Sequence, residues 1–262
     1  MTYDLDRYLR RFEDFTRGFM RGREDDDAGI HLKIYHSLRV LDESRAITRS
    51  LSLSPLESEL SQLVALFHDI GRFPQYARYK TFNDRISTNH ARLGVDTILE
   101  TGILFDLNAE DRRLILGAIY LHNRFALPQN LSRGLDLQAK IIRDSDKLDI
   151  ARILLTHFES DAHSNNLVTL GLKTDPFAWS PDIVADIRSQ KQVRYEGMVW
   201  VNDFKLLVSS WTYDLNFAAS RQAALQRGYI DRLFAQLPPN AELQSLKAQL
   251  QDDMYRRSKQ ND

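Results

Sequence analysis

Apolar residues recur every three or four positions along most of this 262-residue chain, and this helical period restricts its fold more than any other feature. No stretch in which apolar and polar residues alternate is long enough to form the core of a β-sheet. The 11 glycines and 7 prolines are few for this length, so they separate the periodic segments and do not interrupt the helical period within them. The pattern therefore predicts an all-α fold, and no internal repeat is apparent in the sequence.

Helix boundaries are indicated by local signals. Ser54, Pro55 and Glu57 favour a helix start, because serine caps the first turn, proline fits inside it and glutamate completes a capping box. We expect that helix to run to about Ile70 and to end at Gly71. The acidic run at 22–29 is expected to be a solvated break. The predicted helices cover residues 3–20, 30–50, 55–70, 88–101, 108–124, 135–158, 181–196, 202–218, 219–236 and 240–258, with an irregular segment at 72–87.

These elements divide the chain into three parts. Residues 1–29 form an N-terminal helix and loop that we expect to pack on the core. Residues 30–160 form the helical core, and residues 161–262 form a C-terminal helical extension that we expect to belong to the same globule.

The composition excludes several classes of function. A net charge of −1 provides no general attraction to nucleic acid or to an anionic membrane. The absence of cysteine excludes disulfides, thiolate metal sites and a cysteine nucleophile, so any metal must be bound by nitrogen and oxygen. The longest apolar run, Leu63–Phe67, is far too short to span a membrane, and residues 1–12 lack a signal-peptide core. We therefore expect a soluble, cytoplasmic protein.

Titratable side chains lie on the apolar faces of several predicted helices. His36, for example, is four residues from both Leu32 and Val40, so it shares their face. Burying such groups without partners is costly, and one or two divalent ions would satisfy them together. Imidazole and carboxylate ligands suit Mn, Fe, Co, Ni or Zn, and Mg is a further option. The alternative is a set of core residues that are hydrogen-bonded separately. The other members of the set are His68, Asp69, His90, His122 and Asp146.

His68 and Asp69 are adjacent, so on a helix their side chains point about 100° apart. Both can bind one ion only if that ion lies beside the helix axis. Otherwise they serve two neighbouring ions, and the carboxylate of Asp69 bridges them.

The order of these residues resembles that of the HD-domain superfamily of metal-dependent phosphohydrolases, whose fold is a helical bundle. The resemblance covers about residues 30–155 and rests on the motifs KIYHSLRV, LVALFHDIGRF, NHARLGV, IYLHNRF and IIRDSDKLDIAR. It implies that the first metal is bound by His36, His68, Asp69 and Asp146. In the family the last aspartate begins a D-x-x-D motif, here Asp146 with Asp149, and Asp144 is a competing candidate.

The two additional histidines, His90 and His122, are similar to those of the dinuclear branch. That branch includes cyclic-dinucleotide phosphodiesterases, dinucleoside tetraphosphate hydrolases and a few diiron oxygenases. The signature motifs of the cyclic-dinucleotide, dNTP and alarmone hydrolases are missing, so no named substrate follows. The histidines that have no place in the pattern are interpreted as structural or surface residues, namely His31, His157 and His163.

A bound divalent ion makes hydroxide available near neutral pH, so the resemblance implies hydrolysis by metal-activated water, with His68 and Asp69 at the catalytic centre. Arg72 and Lys147 are expected to act in catalysis and to bind the substrate phosphate. The aromatic and basic segment 73–85 is interpreted as a lid that stacks a nucleobase, the alternative being that its aromatics pack on the core. Further substrate-binding candidates are Tyr76, Arg78, Lys80 and Arg124.

The predicted function is therefore metal-dependent hydrolysis of a nucleotide or another small phosphate ester. Two alternatives stay open, namely a diiron oxygenase that uses the same ligands and a regulatory protein that binds a nucleotide or metal without turnover. We expect a small phosphorylated substrate as the partner, and neither a membrane nor nucleic acid. A homo-oligomer is compatible with the sequence.

Overall fold

The computed structural model of the protein describes residues 3–159 and 172–260. Within these ranges the chain forms α-helices, turns and short 3-10 helices, and it contains one isolated bridge, between Lys173 and Trp200, but no β-strand. The predicted all-α class is confirmed for this part of the chain. The chain divides into two compact units, Met1–Asp149 and Ile150–Asp262. His163 lies outside the described residues.

The first unit contains six complete helices and most of a long seventh. The seventh helix continues beyond the boundary at Asp149 into the second unit. The seven helices are α1 (Leu5–Arg17), α2 (Glu24–Ser50), α3 (Pro55–Phe67), α4 (Arg72–Tyr79), α5 (His90–Thr101), α6 (Ala109–Leu121) and α7 (Arg133–Glu159).

Three features of the first unit differ from the sequence prediction. Helix α2 begins at Glu24, inside the acidic run expected to be a break, because acidic residues are favourable in a first helical turn. Helix α3 ends at Phe67, earlier than expected. Residues 72–79 form α4 and not an irregular segment. Pro74 is tolerated there because the first turn of a helix needs no intrahelical N–H donor.

Aromatic side chains pack α1 against α3 and α4. Phe12 is fully buried and makes edge contacts with Phe67 and Phe73, at ring-centroid distances of 6.1 and 5.8 Å. Tyr8 adds a second edge contact with Phe67 at 6.4 Å. These contacts attach the N-terminal helix to the residue immediately before the His-Asp pair and to a residue four positions after it.

Gly71 allows α4 and α5 to approach closely. A Cβ atom at Gly71 would collide with the carbonyl oxygen of His90 and would lie 2.5 Å from the amide nitrogen of Gly94. The turn after Asp69 can therefore lie directly against the first residues of α5 only because residue 71 has no side chain.

Within the second unit, the described residues 172–260 form five α-helices. Asp203 is buried and connects its own helix to the residues that precede two of these helices. Its carboxylate accepts hydrogen bonds from the backbone amide and hydroxyl of Ser180 and from the amides of Val199 and Trp200. No helix of the described residues is both long enough and apolar enough to cross a membrane. The five helices are α8 (Pro181–Arg188), α9 (Val201–Ser210), α10 (Ala218–Gln226), α11 (Tyr229–Ala235) and α12 (Ala241–Ser258).

Candidate metal centre

Four histidines from four helical segments meet inside the first unit. They form two pairs whose Nε2 atoms face each other, His36 with His68 at 3.3 Å and His90 with His122 at 3.0 Å. All four side chains are buried. His36 lies within α2, His90 begins α5, and the other two directly follow the last residues of α3 and α6. The structure thus brings together all four histidines proposed as ligands.

One histidine of each pair is held by a carboxylate. The Nδ1 atom of His36 donates to Asp149 at 2.7 Å, and Asp149 also accepts from Arg39 at 2.7 Å. The Nδ1 atom of His90 donates to Asp84 at 2.6 Å. Because an ionised carboxylate only accepts, both rings carry their proton on Nδ1 and present the lone pair of Nε2 to the cluster.

The other histidine of each pair is held by a backbone carbonyl. The Nδ1 atom of His68 lies 2.8 Å from the oxygen of Ala65, and that of His122 lies 2.6 Å from the oxygen of Ile119. In each case the acceptor lies three residues earlier, in the last turn of the helix. A carbonyl oxygen also requires the proton on Nδ1, so in the neutral form of each of the four rings the Nε2 atom presents a lone pair.

The two pairs are built on the same pattern. His36 precedes His68 by 32 residues, and His90 precedes His122 by the same interval. Helices α3 and α6, which end just before the second histidine of each pair, both contain 13 residues. The two segments share these intervals but few residue identities, so no repeat is apparent in the sequence alone.

Asp69 lies between the two pairs. Its Oδ2 atom is 3.4 Å from Nε2 of His36 and 3.7 Å from Nε2 of His68. Its Oδ1 atom is 3.5 Å from Nε2 of His90 and 3.8 Å from Nε2 of His122. One carboxylate therefore directs one oxygen to each pair, which is the arrangement required of a bridging ligand.

Asp146 completes the first pair. Its Oδ1 atom lies 3.1 Å from Nε2 of His36 and 3.7 Å from Nε2 of His68. Asp144, the competing candidate, is buried on α7 and belongs to neither of the groups in the described residues that could hold an ion. The ligand atoms of each group lie within 4.8 Å of one another, and the groups are His36, His68 and Asp146, and His68, Asp69 and His122.

The donor set fits a divalent cation. Facing lone pairs of neutral imidazoles repel each other unless a proton or a metal ion lies between them. Two nitrogens bound to one ion at about 2.1 Å would be about 3.0 to 3.4 Å apart, which matches both pairs. Nitrogen and carboxylate ligands suit several transition metals, so this geometry does not select one of them.

The ionisation of the cluster also suits cation binding. Burial raises the pKa of Asp69, but nearby cationic groups, Lys33 first among them, hold that pKa well below its ordinary value. Burial likewise raises the pKa of Asp146, but hydrogen bonds from His36 and His68 hold it well below its ordinary value. Both carboxylates are thus available as charged ligands.

The two histidine pairs differ in their protonation. Burial lowers the pKa of His90, and it lowers the pKa of His122 to about 3, so a proton between these rings is disfavoured. Burial and Lys33 also lower the pKa of His36, but the carboxylates of Asp146 and Asp149 outweigh them and raise it. The second pair is therefore neutral before any metal binds.

Two of the proposed substrate-binding cations, Arg72 and Lys147, are also expected to act in catalysis. The Nε atom of Arg72 is 3.4 Å from Oδ1 of Asp69, and its Nη1 donates to Asp84, Gln75 and the carbonyl of Phe82. Lys147 is buried on α7 next to Asp146. Their action in catalysis or substrate binding stays a prediction.

The other substrate-binding candidates lie farther out. Tyr76 is buried and stacks on Phe82 at 5.0 Å, and Phe73 is fully buried, so these aromatics pack on the core. Arg78, Lys80 and Arg124 are exposed. Arg124 donates to the hydroxyl of Tyr120, and the other two cations lie over tyrosine rings. Residues 72–79 are thus a helix of the unit, and the role of segment 73–85 as a lid stays a prediction.

Three residues around the cluster were not anticipated from the sequence. The Nζ atom of Lys33 donates to Oδ2 of Asp69 at 2.7 Å, and its position one turn before His36 could have indicated this. Asp84 lies in a segment without a periodic signal. Buried Arg143 donates to the carbonyls of His122, Arg124 and Phe125, so it holds the chain that follows α6.

Two further histidines, His31 and His157, lie in the described part of the chain. His31 is exposed and stacks on Tyr35 at 6.2 Å, and His157 contacts the ring of Phe158. Neither belongs to an ion-binding group among the residues described.

Comparison with known proteins agrees with this geometry. Residues 34–151 match the family model of the HD domain, and they include all six residues of the cluster. No curated protein and no solved structure shows a significant match to the chain. Proteins of the HD-domain superfamily are typically metal-dependent phosphohydrolases. The chain therefore contains, at residues 34–151, a region that matches the HD-domain family.

Proposed function

We propose that the protein is a metal-dependent phosphohydrolase that cleaves a nucleotide or another small phosphate ester. The observation that carries this proposal is the position of Asp69, with one oxygen directed to each of two histidine pairs. Its six proposed metal ligands are His36, His68, Asp69, His90, His122 and Asp146.

The residues of the chain perform three tasks in this reaction, since they hold the metal ion, orient two of the histidine rings and attract the substrate. A divalent ion, when bound, supplies a nucleophile by lowering the pKa of a water molecule. The histidines and both carboxylates hold the site, while Asp149 and Asp84 fix the rings of His36 and His90. The cations nearest to Asp69, Lys33 and Arg72, favour a substrate with negatively charged oxygens.

Hydrolysis can be tested on the purified chain with Mn, Fe, Co, Ni, Zn and Mg supplied in turn. We expect release of phosphate or of a nucleotide from at least one member of a panel of nucleotides and simple phosphate esters. Asp69→Asn should abolish this activity, whereas the surface variant Asp14→Asn should retain it, because Asp14 is 71% exposed. Failure of every metal-loaded sample to hydrolyse any substrate would refute the proposal.

Metal content tests the two-site arrangement separately. We expect His122→Ala to lose one of two bound ions and His68→Ala to lose most of the metal, since Nε2 of His68 belongs to both groups. Equal stoichiometry in both variants and the wild type would contradict two sites. Oxygen consumption by the iron-loaded protein would favour the oxygenase alternative, and nucleotide binding without turnover would favour a regulatory protein.

A further inference from the structure

We propose that Lys33, which no sequence motif assigned, binds the phosphoryl oxygens of the substrate. This inference rests on the proposed function and names a further substrate-binding residue for it. The observation behind it is the ion pair between Nζ of Lys33 and Oδ2 of Asp69, at 2.7 Å.

The side chain of Lys33 is more exposed than those of Asp69 and His36, two residues of the cluster. The oxygen to which it donates, Oδ2 of Asp69, is also 3.4 Å from Nε2 of His36. The side chain of Lys33 is 14% exposed, whereas those of Asp69 and His36 are 3% and 1% exposed. An anion that approaches the first histidine pair from this side therefore meets the ammonium group of Lys33.

An aromatic ring, itself stacked on a second one, also contacts this ammonium group. Nζ of Lys33 lies 5.2 Å from the ring centroid of Phe82, and Phe82 stacks on Tyr76. Tyr76 fits there because Gly29 has no side chain, since a Cβ at Gly29 would lie 2.5 Å from the ring. The rings keep the ammonium group at the cluster without supplying a second negative charge.

Arg72 is less suited to this task. Its Nη1 atom donates to Asp84 at 2.9 Å, to Gln75 at 2.9 Å and to the carbonyl of Phe82 at 2.6 Å. Turning the guanidinium towards a substrate would break these bonds, so Arg72 acts as a positioning residue that connects Asp69 to Asp84. Within the described part of the chain, Lys33 has a single carboxylate partner and a flexible stem.

The partner of Lys33 changes when the site is loaded. Once the charge of Asp69 is shared with a divalent ion, the attraction between Asp69 and Lys33 weakens. The ammonium group can then donate up to three hydrogen bonds to an oxyanion at the cluster. Lys33 thus has two successive partners, first the carboxylate of the metal-free protein and then the substrate.

The test is a calorimetric titration of the Mn-loaded protein with inorganic phosphate. We expect Lys33→Met to weaken phosphate binding about tenfold or more, in line with the loss of a charge-assisted hydrogen bond. Lys33→Arg should restore part of the affinity. The control Lys140→Met removes another lysine paired with an aspartate, Asp136, and should bind phosphate like the wild type. Equal phosphate affinity in Lys33→Met and Lys140→Met, or no phosphate binding by the wild type, would overturn the proposal.

The affinity for Mn provides a second test of the role of Lys33 that does not depend on catalytic turnover. Titration of the metal-free proteins with Mn should show the same number of bound ions in Lys33→Met as in the wild type. The variant should bind Mn more tightly, because no ammonium group then competes for Asp69. Weaker Mn binding by the variant would count against the proposal. If no ester is hydrolysed but Lys33→Met still loses phosphate affinity, the hydrolase function fails while the assignment of Lys33 stands. If Lys33→Met hydrolyses an ester with an unchanged KM, the assignment of Lys33 fails while the hydrolase function stands.

Discussion

The Nδ1 atom of His90 lies 2.6 Å from the Oδ2 atom of Asp84, and the same oxygen accepts the backbone amide of His90 at 3.3 Å. The other oxygen of Asp84 accepts from Arg72 and Gln75, both at 2.9 Å. Asp84 thus receives donors on both oxygens and connects the start of α5 to α4. This arrangement fixes the ring that faces His122.

Asp84→Asn should weaken metal binding at the second pair. Both oxygens of Asp84 accept hydrogen bonds, so the side-chain NH2 group of asparagine would face an N–H donor in place of an acceptor. The ring of His90 would therefore lose its orientation. We expect the affinity for the second ion to fall about tenfold to a hundredfold and the free energy of unfolding to fall by about 2 kcal/mol. Metal titration and urea unfolding measure both effects, with Asp14→Asn as the exposed control. Unchanged affinity for both ions would show that Asp84 does not orient His90.

Gly71→Ala should displace His90 and destabilise the first unit. Its new methyl group would collide with backbone atoms of α5, which cannot move aside as a side chain can. We expect a loss of about 2 kcal/mol or more in unfolding free energy together with weaker binding of the second ion.

Gly94→Ala is the matched control for the variant at Gly71. A Cβ at Gly94 would lie 3.4 Å from its nearest neighbour, the amide nitrogen of Gly71, which is an ordinary contact. Because Gly94 is inside α5, alanine should raise the unfolding free energy by up to about 1 kcal/mol. If the two variants had equal stability in urea, the close approach at Gly71 would not be a constraint.

The ligand set is the part of the site that the sequence predicts best. His36, His68 and Asp146 could be recognised because each lies four residues from apolar positions of a regular helix, where a polar group needs a partner. The sequence left open whether Asp69 serves one ion or two, since adjacent residues on a helix diverge. In the structure the chain leaves α3 at Phe67, so Asp69 lies in a turn and directs its oxygens to opposite pairs.

The surroundings of the ligands were less predictable. Asp84 follows α4 in a segment that has no periodicity, so no rule of helical spacing could connect it with His90. Helix α4 itself was missed because it is short and has a phenylalanine and a proline in its first turn. Lys33 is visible as part of the face of His36, but a lysine at such a position is more often a solvated charge.

Asp203→Ala should destabilise the second unit. The fully buried carboxylate accepts four hydrogen bonds, from two groups of Ser180 and from the amides of Val199 and Trp200. Their loss should lower the unfolding free energy by about 3 kcal/mol, since buried donors are left without partners. The exposed Asp182, in the first turn of α8, provides the control Asp182→Ala. Equal urea midpoints for the two variants would contradict this role.

Lys205 should make the unfolding free energy of the second unit vary with pH in the alkaline range. Burial lowers the pKa of this lysine to about 8, from 10.5, although Nζ donates to Asn202 and to the carbonyl of Gln236. Between these two pKa values the unfolded chain binds more protons than the folded chain, so stability rises with pH across this interval.

Urea unfolding of the wild type and Lys205→Met at pH 7.5 and pH 10 measures this effect. We expect the wild type to gain stability relative to the variant as the pH rises, because the folded chain no longer contains a buried ammonium group. Lys191→Met, at an exposed position of the same unit, should follow the wild type. A constant difference between wild type and Lys205→Met at both pH values would exclude a lowered pKa.

His68 and His122 directly follow the last residues of α3 and α6, so the carboxyl ends of two helices are directed at one cluster. The aligned peptide dipoles of a helix place about half a negative elementary charge at that end. Together the two ends therefore provide a negative potential that attracts cations even before the carboxylates are counted. Helix α5 begins at His90 and presents the opposite pole, which offsets part of this attraction at the second pair.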